Sequence, residues 1–175
     1  MKKVAVFGKP GGGKSTLSKK LSAETGITLY ALDLIEYKKN GERASPEEYV
    51  KKHADWISAD TWIVDGLGTL ESFWHRIDAA DTLIYVDLPY PIHYWWVTKR
   101  LLKSYFVKPA GWPEGSSVWK GTLASWKVLR ICPRFWTPEL FEKIQSRGIG
   151  KNIYRITSVT QINEFTTKHC SVKDR

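Results

Sequence analysis

Five short apolar runs are spread along the chain, and longer stretches of mixed polarity separate them. The runs cover residues 3–7, 27–32, 62–64, 83–86 and 152–156. Between them, apolar side chains recur at the spacing of an amphipathic helix, as at Leu17 and Leu21 or at Phe73 and Ile77. Strands that alternate with helices in this way favour a parallel sheet that helices cover on both faces. The pattern therefore predicts an α/β fold.

Local signals mark where several of these helices begin and end. Ser45 precedes Pro46 and lies three residues before Glu48, which predicts a capping box at the start of a helix. Ser158 and Gln161 have the same spacing and predict a second capping box before the last helix. Glycines at positions 26 and 148 are expected to end helices.

No linker or internal repeat divides the chain, so residues 1–175 are predicted to form one domain. Residues 108–117 contain two prolines and two glycines and are predicted to form a loop. The wider segment 103–117 follows the fourth strand and its helix. An insertion at this point is expected to form a mobile lid.

A glycine-rich segment joins the first strand to the first helix. Gly8, Gly13, Lys14 and Ser15 have the spacing of the phosphate-binding loop, in which backbone N–H groups surround phosphate oxygens. Lys14 is expected to contact the outer phosphates, and the Ser15 hydroxyl to bind Mg²⁺. The alternative is a glycine-rich turn that matches by chance, but the strand before it and the helix after it argue against this. The sequence thus predicts binding of a nucleoside triphosphate.

Three of the predicted strands are followed by an aspartate: Asp33, Asp65 and Asp87. The carboxyl ends of parallel strands meet at the edge of the sheet where ligands bind, and the phosphate loop leaves from the same edge. A carboxylate there can hold Mg²⁺ directly or through water. Asp65 is the strongest candidate because it follows a clean apolar strand, whereas Asp33 and Asp87 could equally be cap or turn residues.

Charge is unevenly distributed along the chain. The formal net charge is +9, and the segment 99–134 contains many Lys and Arg residues but a single acid, Glu114. This implies a polyanionic partner, which could be a nucleoside triphosphate, a phosphorylated acceptor or a nucleic acid. Tryptophans at 95, 96, 112, 119 and 126 lie in or near the same segment, and core packing is favoured over base stacking as their role.

The remaining composition argues for a cytoplasmic protein. No run approaches the roughly 18 apolar residues of a membrane span, and the N-terminal apolar run is too short for a signal peptide. Cys132 and Cys170 lack metal-type spacing and are expected to be reduced thiols. The four histidines are scattered, so the only metal expected is the magnesium that accompanies the nucleotide.

Several of these segments together resemble one group of phosphate-loop proteins. They are the loop 8–17, Leu32-Asp33, residues 62–66 and 76–89, and Lys99-Arg100. In this order they resemble the nucleoside monophosphate kinase group, and in particular the adenylate-kinase-like proteins often labelled DNA topology modulation proteins. The resemblance covers most of residues 1–103 and is weak beyond that point.

This resemblance implies the P-loop NTPase fold, with a five-stranded parallel sheet in the order 2-3-1-4-5 and an ATP lid. It also implies phosphoryl transfer with ATP and Mg²⁺. By position, Asp65 would support Mg²⁺, and Arg100 would reach the transferring phosphate and act with Lys14 in catalysis. The ATP phosphates would be held by Gly11, Gly12, Gly13, Lys14, Ser15 and Thr16, which follow Gly8.

The acceptor half of the predicted site stays open. Adenylate kinases follow their Asp-Gly with an arginine-containing clamp for the monophosphate, whereas this chain has Leu67-Gly68-Thr69. Arg76 is expected either to face the acceptor or to pair with a neighbouring acid. An alcohol acceptor would instead need a carboxylate to take its proton, and Asp33 is the candidate for that substrate-binding and catalytic role. A nucleotide acceptor is favoured on resemblance, with a small hydroxyl acceptor close behind.

A third hypothesis belongs to a different class of protein. The basic, tryptophan-rich segment could bind nucleic acid, with nucleotide binding as its regulator. We expect instead that this segment forms the ATP lid and a helix that packs in the core.

Overall fold

The computed structural model describes residues 1–36, 44–104 and 118–170. Its sheet contains β1 (Lys3–Gly8), β2 (Leu29–Ala31), β3 (Trp62–Asp65), β4 (Thr82–Val86) and β5 (Asn152–Ile156). All neighbouring strands pair in parallel, in the order β2-β3-β1-β4-β5. The α/β fold and the predicted strand order 2-3-1-4-5 are therefore confirmed.

Helices connect the strands. They are α1 (Lys14–Thr25), α2 (Asp33–Glu36), α3 (Pro46–Ser58), α4 (Leu70–Ala79), α5 (Tyr90–Ser104), α6 (Val118–Ile131), α7 (Pro138–Arg147) and α8 (Val159–Cys170). A 3₁₀ turn, Cys132–Arg134, lies between α6 and α7. Among the described residues, no helix is both long and apolar enough to cross a bilayer.

Side chains of β1 alternate between two hydrophobic cores, one on each face of the sheet. Val4 and Val6 pack with Leu17 of α1 and Phe165 of α8. Ala5 and Phe7 belong to the second core, whose buried members also include Phe73, Ile77 and Ile144 from α4 and α7. Because successive residues of a strand point to opposite faces, one apolar run supplies both cores. Helices thus cover both faces, as predicted.

The second strand is shorter than the predicted run 27–32, and Asp33 does not end it. The N–H of Leu32 still donates to the carbonyl oxygen of Asp65, but the Leu32 carbonyl accepts from the N–H groups of Ile35 and Glu36. These bonds close a helical turn, so Asp33 begins α2 rather than ending β2. Asp33 nevertheless stays at the carboxyl edge of the sheet, and its side chain is exposed.

Of the two predicted capping boxes, the one at Ser45 is complete and the one at Ser158 has one of its two hydrogen bonds. At Ser45 the hydroxyl accepts from the N–H of Glu48, and the Glu48 carboxylate accepts from the N–H of Ser45. Ser158 likewise accepts from the N–H of Gln161. The side chain of Gln161, however, accepts from the N–H of Thr157 instead of that of Ser158, so the second capping box is incomplete.

The basic segment is helical where the structure describes it. The predicted lid at 103–117 lies outside the described residues except for its first two positions, which end α5. Trp96 and Trp126 are partly buried, as expected of core residues. Trp95 and Trp119 are 58% and 52% exposed, so for these two side chains the expected core role is wrong.

Candidate active site

The phosphate loop connects β1 directly to α1. β1 ends at Gly8 and α1 begins at Lys14, and Gly13 caps the helix in the left-handed region with a φ of 79°. The Gly13 carbonyl accepts from the N–H groups of Thr16 and Leu17. The unpaired N–H groups of the first turn and the helix dipole make this end of α1 a favourable place for an anion.

Three consecutive glycines of the loop lie against α5. A Cβ would come within 2.5 Å of Val97 Cγ2 at Gly11, 2.7 Å of His93 Cε1 at Gly12 and 2.8 Å of Trp96 Cζ3 at Gly13. Any side chain at these positions would collide with a side chain of the helix. The glycine run therefore allows α5 to pack closely against the loop.

Lys14 lies in the loop with its ammonium group fixed by the backbone. Its Nζ donates to the carbonyl oxygen of Lys9 at 2.8 Å. Burial lowers the pKa of Lys14, and the nearby carboxylates of Asp65 and Asp33 oppose that shift. Lys14 is also close enough to Arg100 to experience its charge. Lys14 is thus close to three of the other predicted charged residues: Asp33, Asp65 and Arg100.

Asp65 ends β3 with its carboxylate 5% exposed. Burial raises its pKa, whereas Lys14 and a hydrogen bond with Ser15 lower it in part. Its Oδ1 atom accepts no hydrogen bond from the part of the chain that the structure describes. A buried carboxylate oxygen without a donor, next to the hydroxyl of Ser15, matches the oxygen ligands that Mg²⁺ requires. The two residues predicted to hold the metal therefore fit it.

Arg100 of α5 and Asp33 of α2 complete the predicted cluster. Arg100 donates from Nη2 to Ser125 Oγ of α6 at 3.3 Å. Burial lowers the pKa of Arg100, and the negative charge of Asp33 acts against this. The cluster thus contains two cations, Lys14 and Arg100, and the two carboxylates of Asp33 and Asp65, contributed by four different elements.

Arg76 is placed differently from either expectation. It is 1% exposed, and its Nη2 donates to the carbonyl oxygens of Gly66 at 3.2 Å and Leu67 at 2.5 Å. Its Nη1 donates to Ser72 Oγ at 3.3 Å and to His53 Nε2 at 3.2 Å. The guanidinium group forms hydrogen bonds with the turn that follows Asp65. Arg76 therefore stabilises that turn instead of presenting its charge to an acceptor.

Asp87, the third strand-end aspartate, is neutralised within the protein. It forms ion pairs with Lys9 of the loop and with Arg155 of β5, whose Nε lies 2.9 Å from Oδ2. Burial raises the pKa of Asp87, but hydrogen bonds from Lys9 and Arg155 more than offset this and lower it overall. Asp87 therefore anchors the loop to the neighbouring strands.

A cavity of about 210 Å³ adjoins the loop on the side of α8. Its wall includes Gly13, Thr16, Trp96, Val159 and Asn163. The cavity is mainly apolar and lies beside the N-terminal end of α1.

Lys9 and His93 are the residues at this site that the sequence did not single out. Lys9 occupies a variable position of the loop motif, and only the fold brings it to Asp87. His93 looks like any other helical residue, yet it is buried beneath the loop. The one available signal was the glycine run itself, which indicates that something approaches the loop closely.

Comparison with solved structures places this architecture among known folds. A shikimate kinase from Acinetobacter baumannii, in complex with shikimate, superposes with a TM-score of 0.51 and 14% identity, over 100% of this chain and 96% of that one. The chain therefore shares its fold with this shikimate kinase. At this level of identity the likeness concerns the fold alone.

Two further structures are similar at lower scores. An unliganded sugar kinase from Janibacter sp. HTCC2649 has a TM-score of 0.49 and 15% identity, over 97% of this chain and 94% of that one. A shikimate kinase from Aquifex aeolicus has a TM-score of 0.47 and 16% identity, over 94% and 91%. No family model and no curated protein matches the sequence.

Proposed function

We propose that this protein is an ATP-dependent phosphotransferase whose acceptor is a small hydroxyl-bearing molecule. The observation that carries the proposal is the position of Asp33. Its exposed carboxylate lies at the ligand-binding edge of the sheet and shares an electrostatic environment with Lys14 and Arg100. Shikimate, the ligand bound to the Acinetobacter kinase, is itself an alcohol, which is consistent with this choice.

The donor half of the site is built from the loop and α1. Backbone N–H groups at the start of α1 would bind the phosphates, and Lys14 would contact the outer ones. Ser15 and Asp65 would hold Mg²⁺, which supplies charge neutralisation of the phosphates when bound. The cavity beside Gly13 and Trp96 would take the adenine ring.

The acceptor half follows from the chemistry of an alcohol. A hydroxyl group becomes a better nucleophile if a carboxylate accepts its proton as the new P–O bond forms, and Asp33 would accept that proton. Charge on the transferring phosphoryl group would be stabilised by Lys14 and Arg100. Positioning and charge stabilisation would provide the catalysis, without a covalent enzyme intermediate.

The burial of Arg76 weakens the alternative in which a nucleoside monophosphate is the acceptor. A monophosphate is typically held by an arginine that reaches its oxygens. Arg76 is the one arginine between the loop and β4 that the structure describes, and it is committed to backbone carbonyls. Nucleoside monophosphates nevertheless belong in the test, because the resemblance to adenylate-kinase-like proteins favours them.

The test is a panel of sugars, other small alcohols, nucleosides and nucleoside monophosphates, each supplied with ATP and Mg²⁺. We expect ADP and a phosphomonoester from at least one non-nucleotide alcohol. Asp33→Asn should lower that turnover by about 10²–10⁴-fold, the usual contribution of a general base, without changing ATP affinity. Asp60→Asn removes an exposed carboxylate elsewhere and should behave as wild type.

Two results would count against the proposal. Turnover by Asp33→Asn at the wild-type rate would show that Asp33 is not the general base. Phosphorylation of nucleoside monophosphates alone would replace the hydroxyl acceptor with the nucleotide kinase alternative.

A further inference from the structure

His93, in the first turn of α5, is enclosed between the phosphate loop and the end of β4. Its side chain is 0% exposed. Nδ1 lies 2.9 Å from the carbonyl oxygen of Pro10 in the loop, and Nε2 lies 3.1 Å from the carbonyl oxygen of Leu88 after β4. The imidazole ring therefore bridges the loop and the strand end that precedes α5.

Both partners of this ring are acceptors, which a neutral imidazole cannot satisfy. A carbonyl oxygen has no hydrogen to donate, and neutral histidine carries a single N–H. Lys9 Nζ already donates to the Leu88 oxygen at 3.3 Å. The favoured neutral tautomer therefore has its hydrogen on Nδ1, which donates to the carbonyl oxygen of Pro10. In that tautomer the lone pair of Nε2 faces the lone pairs of the Leu88 carbonyl oxygen. Only the imidazolium form can donate to both carbonyls.

The charges and the burial around the ring keep it neutral. Burial lowers the pKa of His93 to about 4, and the positive charges of Lys9 and Lys14 add to this, while the two carbonyl contacts act in the opposite direction. The N-terminal end of α5 also disfavours a cation. Three other titratable groups lie on adjoining elements. Asp87 is paired with Lys9 and Arg155, and Cys132 lies near Lys9 and Lys14. The ring centroid of Tyr90 lies 6.4 Å from that of His93.

We propose that His93 is a positioning residue of the phosphate loop and takes up one proton when a triphosphate binds there. The inference rests on the proposed nucleotide binding. Bound phosphate brings several negative charges next to Lys14 and so reverses the local potential that keeps the ring neutral. The proton comes from solvent and is added to Nε2, and no other bond changes.

The consequence for the site is a tighter connection between the loop and α5. The imidazolium donates to Pro10 and Leu88 together, and its Cε1 already lies 2.7 Å from the position that a Cβ of Gly12 would take. Arg100 lies seven residues further along the same helix, about 10 Å away at 1.5 Å per residue. Fixing the first turn of α5 against the occupied loop thus fixes the helix that carries Arg100.

The experiment compares proton uptake on binding of Mg-ATP by wild type and by His93→Asn. Calorimetry in two buffers of different ionisation enthalpy, at about pH 5 and about pH 7.5, gives the protons taken up per nucleotide. Asn at this position can still donate from the place of Nδ1 to Pro10 but cannot titrate. The variant also corrects for protons bound by the nucleotide itself, and His75→Asn, at an exposed histidine of α4, is the matched control.

We expect wild type and His75→Asn to take up more protons than His93→Asn near pH 5, by as much as about one per nucleotide, and all three to agree near pH 7.5. ATP affinity of wild type should improve relative to His93→Asn toward low pH, by up to about tenfold per unit of pKa that the nucleotide adds. Equal uptake by wild type and His93→Asn at both pH values would overturn the inference. Failure of wild type to bind ATP at all would instead reject the proposed function.

A second measurement follows the imidazole rings of the wild-type protein directly. The histidine ring-proton resonances of wild type are followed by NMR as a function of pH, with and without inorganic tripolyphosphate. We expect one buried histidine to titrate at a higher pH when tripolyphosphate is bound, and His93→Gln or His93→Asn identifies it by loss of its signal. Unchanged titration of every histidine would contradict proton uptake.

Discussion

At Gly8 the backbone leaves β1 with a φ of 139°, and the chain passes unusually close to the neighbouring strand. A Cβ at this position would lie 2.2 Å from the carbonyl oxygen of Val86. Because the obstacle is backbone in the centre of the sheet, it cannot rotate away. Gly8 is thus required by strand packing at the very point where the phosphate loop begins.

Gly8→Ala is therefore expected to destabilise the protein more than another glycine substitution with a positive φ. Gly26, at the end of α1, has a φ of 72° and nothing within 4 Å of a new Cβ. Gly26→Ala should cost about 1–2 kcal/mol of unfolding free energy from backbone strain alone, and Gly8→Ala about 1–3 kcal/mol more from the clash. Urea unfolding of both variants measures this. Equal losses would show that the loop entrance relaxes around a side chain.

A second residue-scale feature is the buried polar group beneath the turn after Asp65. His53 of α3 accepts from Arg76 of α4, and Tyr49 and Ser72 share a hydrogen bond of 2.8 Å beside them. Burial, followed by the positive charge of Arg76, lowers the pKa of His53 to about 4. The native state therefore needs neutral His53 to hold the turn.

This predicts an acid-sensitive contribution to stability. Since the pKa of His53 is lower in the native state than its ordinary value of 6.5, the unfolded state binds more protons between these values, and stability falls as the pH drops through that window. From pH 7 to pH 5 the loss assigned to His53 is about 2 kcal/mol. His53→Gln retains an acceptor for Arg76 without titrating, so its unfolding free energy should fall less over this range. An identical pH dependence in both proteins would contradict the assignment.

At the scale of elements, α5 is the helix on which the site depends most. Its first two turns contact the three glycines of the loop through His93, Trp96 and Val97. Its later turns carry Arg100, which is held by Ser125 of α6. One helix thereby connects the phosphate loop with a cation that experiences the charge of Asp33.

Substitutions at adjacent positions of α5 separate this role from general positive charge. Arg100→Gln is expected to lower kcat by about 10²–10³-fold, as for loss of one preorganised charge in a reaction centre. Lys99→Gln removes the same charge from an exposed neighbouring position and should leave kcat near the wild-type value. Steady-state kinetics with the phosphorylated acceptor as readout decides between them. Equal effects of the two substitutions would mean that only net charge matters.

The elements that the sequence predicted correctly are those fixed by local chemistry. The apolar runs of β1, β3 and β4 and the capping box at Ser45 depend on neighbours in the sequence, so spacing alone identifies them. Asp33 was predicted to end a strand but begins a helix, because the Leu32 carbonyl oxygen accepts hydrogen bonds from the N–H groups of Ile35 and Glu36. That outcome depends on where the pairing of β2 with β3 ends, which cannot be inferred from the local sequence.

The candidate site divides in the same way. Lys14, Ser15 and Asp65 were predictable because a motif and a strand end fix their positions. The burial of Arg76, the pairing of Lys9 with Asp87 and the place of His93 depend on contacts between residues far apart in the chain. Arg76 was expected either to face the acceptor or to pair with an acid, and Lys9 had no predicted role. Only tertiary packing shows that both charges are used inside the protein.

At the scale of the whole molecule, the parallel sheet brings the site together from distant parts of the chain. The register pairs Val6 with Asp65 and Gly8 with Val86, so the ends of β1, β3 and β4 lie side by side. The loop, the buried carboxylate of Asp65 and the anchor Asp87 consequently share one edge. The net charge of +9 adds a general attraction for polyanionic nucleotides.

The most direct test of the account is the transfer of the γ-phosphoryl group itself, followed by ³¹P NMR with ATP, Mg²⁺ and the alcohol identified by the panel. Wild type is predicted to form ADP and a phosphomonoester in equal amounts. Lys14→Ala should form neither above background while retaining the wild-type circular dichroism spectrum, because the outer phosphates of bound ATP lose their cation in the loop. Phosphomonoester formation at the wild-type rate by Lys14→Ala, or ADP formation by wild type without any phosphorylated product, would contradict the account.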